Sequence, residues 1–229
     1  MPEFFESTAG RAVLGVVITV VVILLIELNY KLFMKAVLDV LFAFIAVIIC
    51  SPVLLAGAVI SKIKTGSALE SKAYLGVKGK IIYLHSFAGI EKGIKNLPRL
   101  FDVLSGKLSF VGVKPVELAD GALMDDEQME RFNARPGLVC HLVLKGYEEL
   151  TYEDIFALDK RYAKKRELFT DIFIILKNLA YVIRGEGKSY LGQSRDKSYA
   201  QVLLERGSIT QNDFERANEA AQEALKNNS

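Results

Sequence analysis

The hydrophobic positions divide the chain into an apolar beginning and a longer part of mixed polarity. A first run without charged residues covers 12–26, and a second covers 40–61. At about 1.5 Å per residue the first run is roughly 22 Å long, so it needs its flanks, from 8 to 28, to cross a hydrocarbon core of about 30 Å. We predict a retained transmembrane helix here. A cleaved signal peptide is the alternative, although no small-residue cleavage pattern follows Glu27.

The second apolar run contains the pair Ser51-Pro52 near its middle. Proline lacks the backbone donor that a helix needs, crowds the carbonyl four residues earlier, and disfavours helical geometry at the residue before it. The run is therefore either a kinked spanning helix or a helix-break-helix that enters and leaves the membrane by one face. Two lysines precede the run and two follow it. Because basic flanks stay on the cytoplasmic side, this pattern favours the re-entrant hairpin.

The pattern after the second run predicts one small hairpin and several helices. Moderate alternation over 73–86 around a glycine indicates a β-hairpin. Residues 91–104 have the period of a helix, with Asn96 as its N-cap and a proline soon after. A short polar helix is predicted over 125–133.

A long helical pattern extends over 152–184, and its second half carries a broad apolar stripe. A dense group of basic residues lies just before that stripe: Lys160, Arg161, Lys164, Lys165 and Arg166. Two interpretations have equal weight, a core helix with a solvated start and an amphipathic helix in the membrane interface whose basic residues meet anionic lipid or phosphate. A last helix is predicted after Thr210, with Asp213 three residues on.

These patterns predict a mainly α fold with a small β-hairpin, anchored in a membrane. The predicted parts are an N-terminal transmembrane helix and linker over 1–34, a re-entrant helix-break-helix over 35–64, a cytoplasmic α+β domain over 65–206, and a C-terminal helix over 207–229. The interfacial interpretation adds amphipathic helices on the domain's membrane side.

Composition excludes several function classes. The net charge of +2 is too small to indicate nucleic-acid binding by itself. The two cysteines lie far apart, one in an apolar run and one in the polar part, which suits two free thiols in a reducing compartment. Two histidines and two cysteines without ligand spacing do not predict a zinc site, and we expect no structural metal.

Several segments occur in an order and spacing that resemble one family. Residues 97–115 read LPRLFDVLSGKLSFVGVKP, residues 135–146 read RPGLVCHLVLKG, and residues 159–162 read DKRY. The stretch KAVLD at 35–39 precedes the apolar run with its Ser-Pro pair. Together these segments resemble the bacterial sugar transferases, the monotopic phosphoglycosyl transferases of surface-glycan assembly. The resemblance covers roughly 35–185.

The resemblance implies an activity and the residues that perform it. The family transfers a sugar phosphate from a UDP-sugar to polyprenyl phosphate with an Asp-Glu pair and Mg²⁺, and the Asp attacks the β-phosphate. The pair precedes the Leu-Pro of the first segment, and in this chain those positions are Lys95 and Asn96. A protonated lysine cannot attack phosphorus, and its charge repels a metal ion. Loss of a nucleophile typically removes about 10⁴- to 10⁶-fold of rate, roughly 5–8 kcal/mol.

Other family positions also differ in this chain. The family's Pro-Arg-Pro stretch reads VKP around Lys114, which keeps a cation for phosphate but loses the bidentate fork of arginine. The family's Lys-Phe-Arg-Ser-Met stretch reads LHSFA over 84–88, so two cations are missing. Arg135 is kept, and it is predicted to hold phosphate or to cap its turn. The nearby acids Glu91 and Asp102 lie a helical turn or more from the attack position.

The resemblance and these departures together predict a degenerate sugar transferase, a pseudoenzyme of surface polysaccharide (exopolysaccharide) assembly in the bacterial inner membrane. Its expected partners are membrane lipid, undecaprenyl or another polyprenyl phosphate, and an active sugar transferase or other glycan-assembly protein, but not nucleic acid. No cofactor is expected if the chain is inactive, and Mg²⁺ is expected if it is active. Two alternatives stay open: an active transferase with rearranged catalytic groups, and a membrane-anchored domain with no link to glycans.

Overall fold

The computed structural model describes residues 8–91, 93–145, 150–184 and 197–228. These residues are mostly helical with small sheets, as the sequence pattern predicted. The helices and strands follow one another as α1 Thr8–Asn29, α2 Lys35–Thr65, β1 Leu69–Leu75, β2 Ile81–Phe87, α3 Arg99–Leu104, β3 Ser109–Gly112, β4 Val116–Glu117, α4 Leu118–Gly121, α5 Asp126–Met129, β5 Gly137–Cys140, α6 Tyr152–Lys164, α7 Leu168–Ile183, α8 Tyr199–Glu205 and α9 Gln211–Asn227.

The first two helices are long and apolar, and the π-helix Tyr30–Met34 joins them. Among the described residues, α2 is the one helix that is long and apolar enough to cross a membrane by length and composition. Ala9–Leu25, within α1, forms a shorter apolar helical stretch. The large apolar side chains of α1 between Val13 and Leu25 are exposed to the surroundings of the protein.

Pro52 lies inside α2 without ending it. The structure has one α-helix from Lys35 to Thr65, so the predicted break of the backbone at Ser51-Pro52 is wrong. Proline leaves the carbonyl of Ile48 without its usual helical donor, and the Ser51 hydroxyl donates to that carbonyl instead, at 2.8 Å. The helix therefore continues because a side chain replaces the missing hydrogen bond. The same-side topology of this segment in a membrane stays a prediction.

One face of α2 is buried near the start of the helix and again near its end. The buried residues recur at helical spacing: Lys35, Asp39, Ala43, Leu54, Gly57 and Ser61. Near the start, the Ser109 hydroxyl donates to the Asp39 carboxylate, and near the end the Ser61 hydroxyl donates to the carbonyl of Ala88. A Cβ at Gly57 would lie 2.6 Å from an aromatic ring of β2, so glycine is needed for this close approach. Both ends of α2 are therefore attached to the same domain.

The strands form two small sheets. β1 lies between β2 and β4 and is antiparallel to both, while β3 and β5 pair in parallel. The predicted hairpin is confirmed as β1 and β2, although it is longer than expected and covers 69–87. Its turn has positive φ at Lys78 (56°) and Gly79 (73°), a conformation that glycine adopts without strain.

The helix predicted over 91–104 is shorter than expected. Only α3 is helical, and Pro98 rather than Asn96 stands at its N-cap. The residues before it form turns, because the carbonyl of Lys95 accepts a hydrogen bond from the backbone N–H of Phe87, at 2.9 Å. Hydrogen bonding to β2 has replaced the first turns of the helix.

The single helix predicted over 152–184 is two helices, α6 and α7, separated at 165–167. Lys165 leaves helical geometry, with φ −127° and ψ 71°. The basic group identified in the sequence falls at this point. Its lysines form ion pairs with acidic residues: Lys160 and Lys164 with Glu130, and Lys165 with Glu167.

Two other helix predictions are confirmed. The polar helix near 125–133 is α5, continued by the 3₁₀ turn Glu130–Asn133. The last helix is α9, and Thr210 and Asp213 form the reciprocal hydrogen bonds of a capping box at its start.

Helix α7 has a buried face and an exposed apolar face. Ile174 and Tyr181 are buried in a cluster with Val111 and Val113 of the β3 region. The large apolar side chains that α7 leaves exposed, here named the α7 apolar face, are Phe169, Ile172, Phe173, Leu176, Leu179 and Ile183. The core interpretation of this helix is confirmed for one face, and the other face carries the surface that the interfacial interpretation requires.

Candidate functional site

Lys95 and Asn96 lie in the turn between β2 and α3, and their backbone is held on both sides. The carbonyl of Lys95 accepts from Phe87, and the carbonyl of Asn96 accepts from the N–H of Arg99, at 3.1 Å. This turn therefore has a fixed shape at the two positions that the resemblance assigns to the catalytic pair.

The side chain of Lys95 is used in an ion pair. Its ammonium lies 3.0 Å from Oε1 of Glu70 on β1, and the same carboxylate accepts a hydrogen bond from the Ser86 hydroxyl, at 3.0 Å. Hydrogen bonding to Lys95 lowers the pKa of Glu70, so the partner carboxylate stays ionised. The ammonium is held by an anion and does not line the cavity described next.

A large polar cavity, with a volume of about 690 Å³, opens beside Asn96. Its lining includes Lys72 and Tyr74 of β1, Asn96 and Arg99 at the start of α3, Lys114, Glu117 and Asp120 of the β4–α4 region, Tyr152 of α6, and residues of the α8–α9 region. We call it the polar cavity. The structure thus brings together two residues predicted from the sequence, Asn96 and Lys114, on the wall of one cavity.

Lys114 is the most strongly perturbed base in this cavity. Burial lowers the pKa of its amine from 10.5 to about 8, and the nearby Arg131 guanidinium acts in the same direction. The amine lies 4.7 Å from the centre of the Tyr152 ring and 3.5 Å from its hydroxyl. A bound anion would offset the unfavourable burial of the ammonium, so this position suits phosphate.

A buried ion pair fixes the backbone of Lys114 from both sides. Arg131 and Asp159 are both fully buried and form an ion pair with each other. The Arg131 guanidinium donates to the carbonyl of Lys114 at 2.7 Å, and the Lys114 N–H donates to Asp159 at 3.4 Å. No sequence motif marks Arg131, and Asp159 belongs to the DKRY segment at 159–162 without an assigned role. Neither residue touches the polar cavity, so both are positioning residues.

The carboxylates of the polar cavity already have partners. Glu117 lies 2.5 Å from the Lys72 ammonium, and Asp120 accepts from the backbone N–H groups of Tyr199 (3.1 Å) and Ala200 (2.9 Å). No group of three or more His, Cys, Asp or Glu side chains suited to a metal ion occurs in the part of the chain that the structure describes. With an ammonium and an amide at positions 95 and 96, this donor set does not fit Mg²⁺, which prefers several carboxylate oxygens.

Arg135 lies in a different place from Lys114. It is exposed and lines a second cavity of about 120 Å³, together with Lys35, Asp39, Tyr162 and Arg166. We call this the basic cavity, and it shares no lining residue with the polar cavity. The two residues predicted to bind phosphate are therefore not brought together.

A buried network forms the floor of the basic cavity at the start of α2. The Asp171 carboxylate accepts from the ammonium of Lys35 at 2.6 Å, from the hydroxyl of Tyr162 at 2.7 Å, and from the hydroxyl of Tyr30. Arg135 and Arg166 form no ion pair within the described ranges. Two guanidinium groups therefore face the cavity where the apolar helix begins.

Asp102, one of the two acids near the position of attack, is also held by hydrogen bonds to another residue. It is buried, and it accepts hydrogen bonds from the backbone N–H and from Nδ1 of His85, at 2.8 and 2.7 Å. An acid in this arrangement holds its histidine and is not available for attack on a phosphate in the polar cavity.

The fold and the two cavities define a domain with cationic sites, one of them beside an apolar helix long enough to span a membrane. Residues 90–185 match the family model described as bacterial sugar transferase. This match to residues 90–185 confirms the resemblance seen in the sequence.

Several relatives of known name are similar to this chain. It is 30% identical over 98 residues to the galactosyl transferase CpsE of Streptococcus agalactiae, covering 42% of this chain and 22% of that protein. It is 29% identical over 94 residues to the exopolysaccharide production protein ExoY of Rhizobium meliloti, covering 41% and 42%. It is 30% identical over 97 residues to the undecaprenyl-phosphate galactose phosphotransferase of Salmonella typhimurium, covering 42% and 20%. The matches thus span less than half the length of these relatives.

Proposed function

We propose that this chain is a membrane protein of bacterial surface-polysaccharide assembly that keeps the sugar transferase fold without the transfer chemistry. In this proposal it binds polyprenyl phosphate, or a partner such as an active sugar transferase, and forms no covalent sugar-phosphate intermediate. The observation that carries the proposal is the ion pair of Lys95 with Glu70, at 3.0 Å, where the family resemblance places the nucleophile.

The chemistry of positions 95 and 96 supports this proposal. A nucleophile needs an available lone pair, and the Lys95 side chain is instead in an ion pair with Glu70. Asn96 reaches the polar cavity but offers a neutral amide in place of a carboxylate. Neither group supplies the negative oxygen that attack on phosphorus and binding of Mg²⁺ require.

An active transferase is the second candidate, and one observation favours it. The polar cavity falls within the 300–1,000 Å³ range of ordinary ligand sites, and it presents cationic groups of Arg99 and Lys114 to an anion. An active chain would move a sugar phosphate from a UDP-sugar to undecaprenyl phosphate. It would have to do so with a nucleophile other than the family pair.

Turnover separates the two candidates. The purified full chain, supplied with polyprenyl phosphate, Mg²⁺ and a panel of UDP-sugars, is expected to release no UMP above the enzyme-free background. An intact family member assayed alongside shows that the substrates are competent. UMP release by this chain that a chelator abolishes would establish the active candidate.

The attachment of α2 supports a same-side membrane arrangement. Its start is held by Ser109 and its end by Ala88, so one domain contacts both ends of the apolar helix. A helix that crossed the bilayer would carry one of its ends away from a domain on one side. Together with the lysines on both flanks, this favours a helix that has both ends at the cytoplasmic face of the inner membrane, an arrangement that requires α2 to bend at Pro52.

The α7 apolar face supports a second membrane contact. It carries six large exposed apolar side chains, while the basic residues at 160–166 lie just before this helix, at the end of α6 and in the link to α7. Asp171 of α7 is bound to Lys35 and Tyr30, so the face lies on the helix that touches the start of α2. An amphipathic helix with basic residues at its end suits the interface of an anionic membrane.

Accessibility of a label on α7 tests this second contact. A nitroxide at Phe173→Cys, in a chain whose Cys50 and Cys140 are changed to alanine, is expected to be more accessible to oxygen than to a water-soluble relaxing agent in lipid bilayers. Gln222→Cys on the exposed side of α9 is the matched control and is expected to show the opposite preference. If the labels at both positions were more accessible to the water-soluble agent than to oxygen, the interfacial arrangement would be contradicted.

The basic cavity is the place where this proposal puts the lipid phosphate. Arg135 and Arg166 supply guanidinium groups, which match phosphate oxygens in bidentate geometry. Lys35 places the cavity at the beginning of the apolar helix, where a phosphate on a membrane-embedded chain would lie. In this proposal the lipid phosphate binds in the basic cavity, and the polar cavity is left to a water-soluble ligand.

A further inference from the structure

A third cavity, of about 380 Å³, lies where α6 ends and α7 begins. Its lining comes from the end of α6, the link and first turn of α7, and the 3₁₀ turn His141–Lys145. We call it the link cavity. It shares no lining residue with the polar cavity and only Tyr162 with the basic cavity. It is therefore distinct from both, although it adjoins the basic cavity.

Arg161 is the cation of this cavity that has no acidic partner. Its side chain is exposed, and its guanidinium forms no ion pair or hydrogen bond with any residue in the described part of the chain. The lysines of the same basic group are paired with glutamates, including Lys165 on the cavity wall, which lies 3.1 Å from Glu167. A guanidinium without a partner on a cavity wall can bind two phosphate oxygens at once.

The charges that line the link cavity do not cancel. Arg161 and Lys165 are two cations, and Glu167 is the one carboxylate in the lining. That carboxylate is already engaged by Lys165 and by the hydroxyl of Thr170, at 3.3 Å. The cavity therefore favours an anionic ligand, and the anion has to lie nearer Arg161 than Glu167.

His141 adds a buried polar group to the same wall. Its side chain is 7% exposed, and neither ring nitrogen has a hydrogen-bond partner among the described residues. The ring stacks on Tyr162, with centres 4.9 Å apart, and Nδ1 stays 3.5 Å from the carboxylate of Asp159. Burial lowers the pKa of His141, so the imidazole is neutral at pH 7 and carries one N–H. A ligand oxygen would satisfy this donor.

The rest of the lining is apolar and adjoins the α7 apolar face. Leu144 and Leu158 line the cavity, and Thr170 lines it from α7. Thr170 is three residues from Phe173, so the two side chains occupy neighbouring positions on the helix surface. A phospholipid can place its phosphate against the cations and its glycerol and first acyl carbons against the leucines. A bare phosphate would leave the apolar wall uncovered.

We propose that the link cavity binds the phosphate headgroup of an anionic membrane phospholipid, with Arg161 as its main contact and His141 as a neutral donor. The inference rests on the membrane contact of α7 in the proposed function and deepens it, because it names one lipid site beside that helix. The ligand is a lipid of the surrounding bilayer. It is separate from the polyprenyl phosphate that the proposed function puts in the basic cavity.

The ring nitrogens of His141 report on this cavity directly. His85 and His141 are the two histidines of the chain, so the untagged full chain labelled with ¹⁵N-histidine in detergent micelles gives two sets of ring signals, which His85→Gln assigns. Dioleoyl phosphatidylglycerol is expected to shift the His141 signals saturably. Dioleoyl phosphatidylcholine at the same mole fraction is expected to cause less than about a fifth of that shift. Glycerol 3-phosphate and inorganic phosphate at the same total concentration are expected to cause less than about a tenth.

Two neighbouring substitutions separate a site from general charge. Arg161→Gln is expected to weaken phosphatidylglycerol about tenfold, because a charge-assisted bidentate contact is lost. Lys160→Gln is the matched control: it removes the same charge one residue earlier, where the ammonium lies 2.8 Å from Glu127 and outside the cavity. It is expected to change the affinity by less than about twofold. Equal weakening by both variants would mean that charge alone attracts the lipid, and it would overturn the inference.

The remaining outcomes identify the ligand and its place. Equal shifts with glycerol 3-phosphate and with phosphatidylglycerol would show that the cavity takes a water-soluble phosphate ester, and the lipid assignment would be wrong. Loss of the shift in Arg135→Gln but not in Arg161→Gln would put the headgroup in the basic cavity, which would also overturn the inference.

Failure of this inference is distinguishable from failure of the proposed function. A label at Phe173→Cys that prefers the water-soluble agent in bilayers would contradict the membrane contact of α7 itself. Unshifted His141 signals in a chain whose label at that position prefers oxygen would contradict the link-cavity site alone. UMP release in the turnover assay would overturn the non-enzymatic role without affecting either result.

Discussion

Arg131→Met is expected to lower the free energy of unfolding by about 3–5 kcal/mol, one of the two largest effects that the structure predicts. Both members of the Arg131–Asp159 pair are fully buried, so the substitution leaves a carboxylate in the interior without its cation. The same change removes the hydrogen bond to the carbonyl of Lys114. The loss therefore combines an unpaired charge with a freed backbone acceptor.

Denaturant unfolding in detergent micelles, followed by circular dichroism, measures this loss. The double change Arg131→Met with Asp159→Leu is expected to recover most of it, because well-packed apolar groups can replace a buried ion pair. Arg206→Met is the matched control, since its pair with Glu153 is partly exposed and should contribute about 1 kcal/mol or less. A loss at Arg131 as small as the control's would mean that the pair does not stabilise the interior.

The same pair explains why Lys114 was predicted from the sequence and Arg131 was not. Lys114 occupies a position of the family motif, where a cation for phosphate was expected. Arg131 belongs to the polar stretch over 125–133, where charged residues normally face solvent, and no local pattern marked one of them as buried. Only the packing of α6 against this stretch, which brings Asp159 to Arg131, gives it a role.

Local sequence patterns predicted which segments are helices or strands, but they did not predict where several of these elements begin or end. The β-hairpin and the capped helix at Thr210 depend on neighbours in sequence, and both are confirmed. The start of α3 depends instead on the hydrogen bond between Phe87 and Lys95, and the continuity of α2 depends on the Ser51 hydroxyl. In both cases a single hydrogen bond gave a backbone structure different from the one that the local sequence predicted.

The candidate site also combines features that sequence motifs predict with features that depend on contacts between distant parts of the chain. The sequence identified Lys95, Asn96, Lys114 and Arg135 one by one, because each stands at a family motif. It did not predict that Arg135 lies in a cavity of its own, since that depends on the contact of α2 with α7 through Lys35 and Asp171. Neither did it predict that residues of α8 and α9 line the polar cavity, because these helices fall outside the motifs.

Lys95→Asp combined with Asn96→Glu is expected to produce no UMP release above background, a shortfall of at least about 10⁴-fold from an intact family member. The first change places a carboxylate beside Glu70, which now binds the lysine at 3.0 Å. Two neighbouring carboxylates repel each other and favour protonation of one of them. The restored acid would therefore be a poorer nucleophile than in a site built for it.

The residues at 84–88 are a second reason why the double change does not restore transfer activity. Leu84 and Phe87 are buried in the core, and Ser86 is bonded to Glu70, so these positions supply no cation to a phosphate. His85 is the remaining candidate, and its ring is held by Asp102. Reinstating the pair alone thus leaves the negative charge of the transferring group without the cations that the resemblance places there.

Adding Glu70→Gln to the double change separates the two causes, because it removes the repulsion without adding a cation. If repulsion at Glu70 were the main obstacle, the triple variant would release UMP and trap a sugar-phosphate adduct detectable by mass spectrometry of the intact chain. We expect neither, because missing cations at 84–88 are the larger deficit. Full turnover by the double variant would show that the electrostatic environment around positions 95 and 96 is already that of a working site.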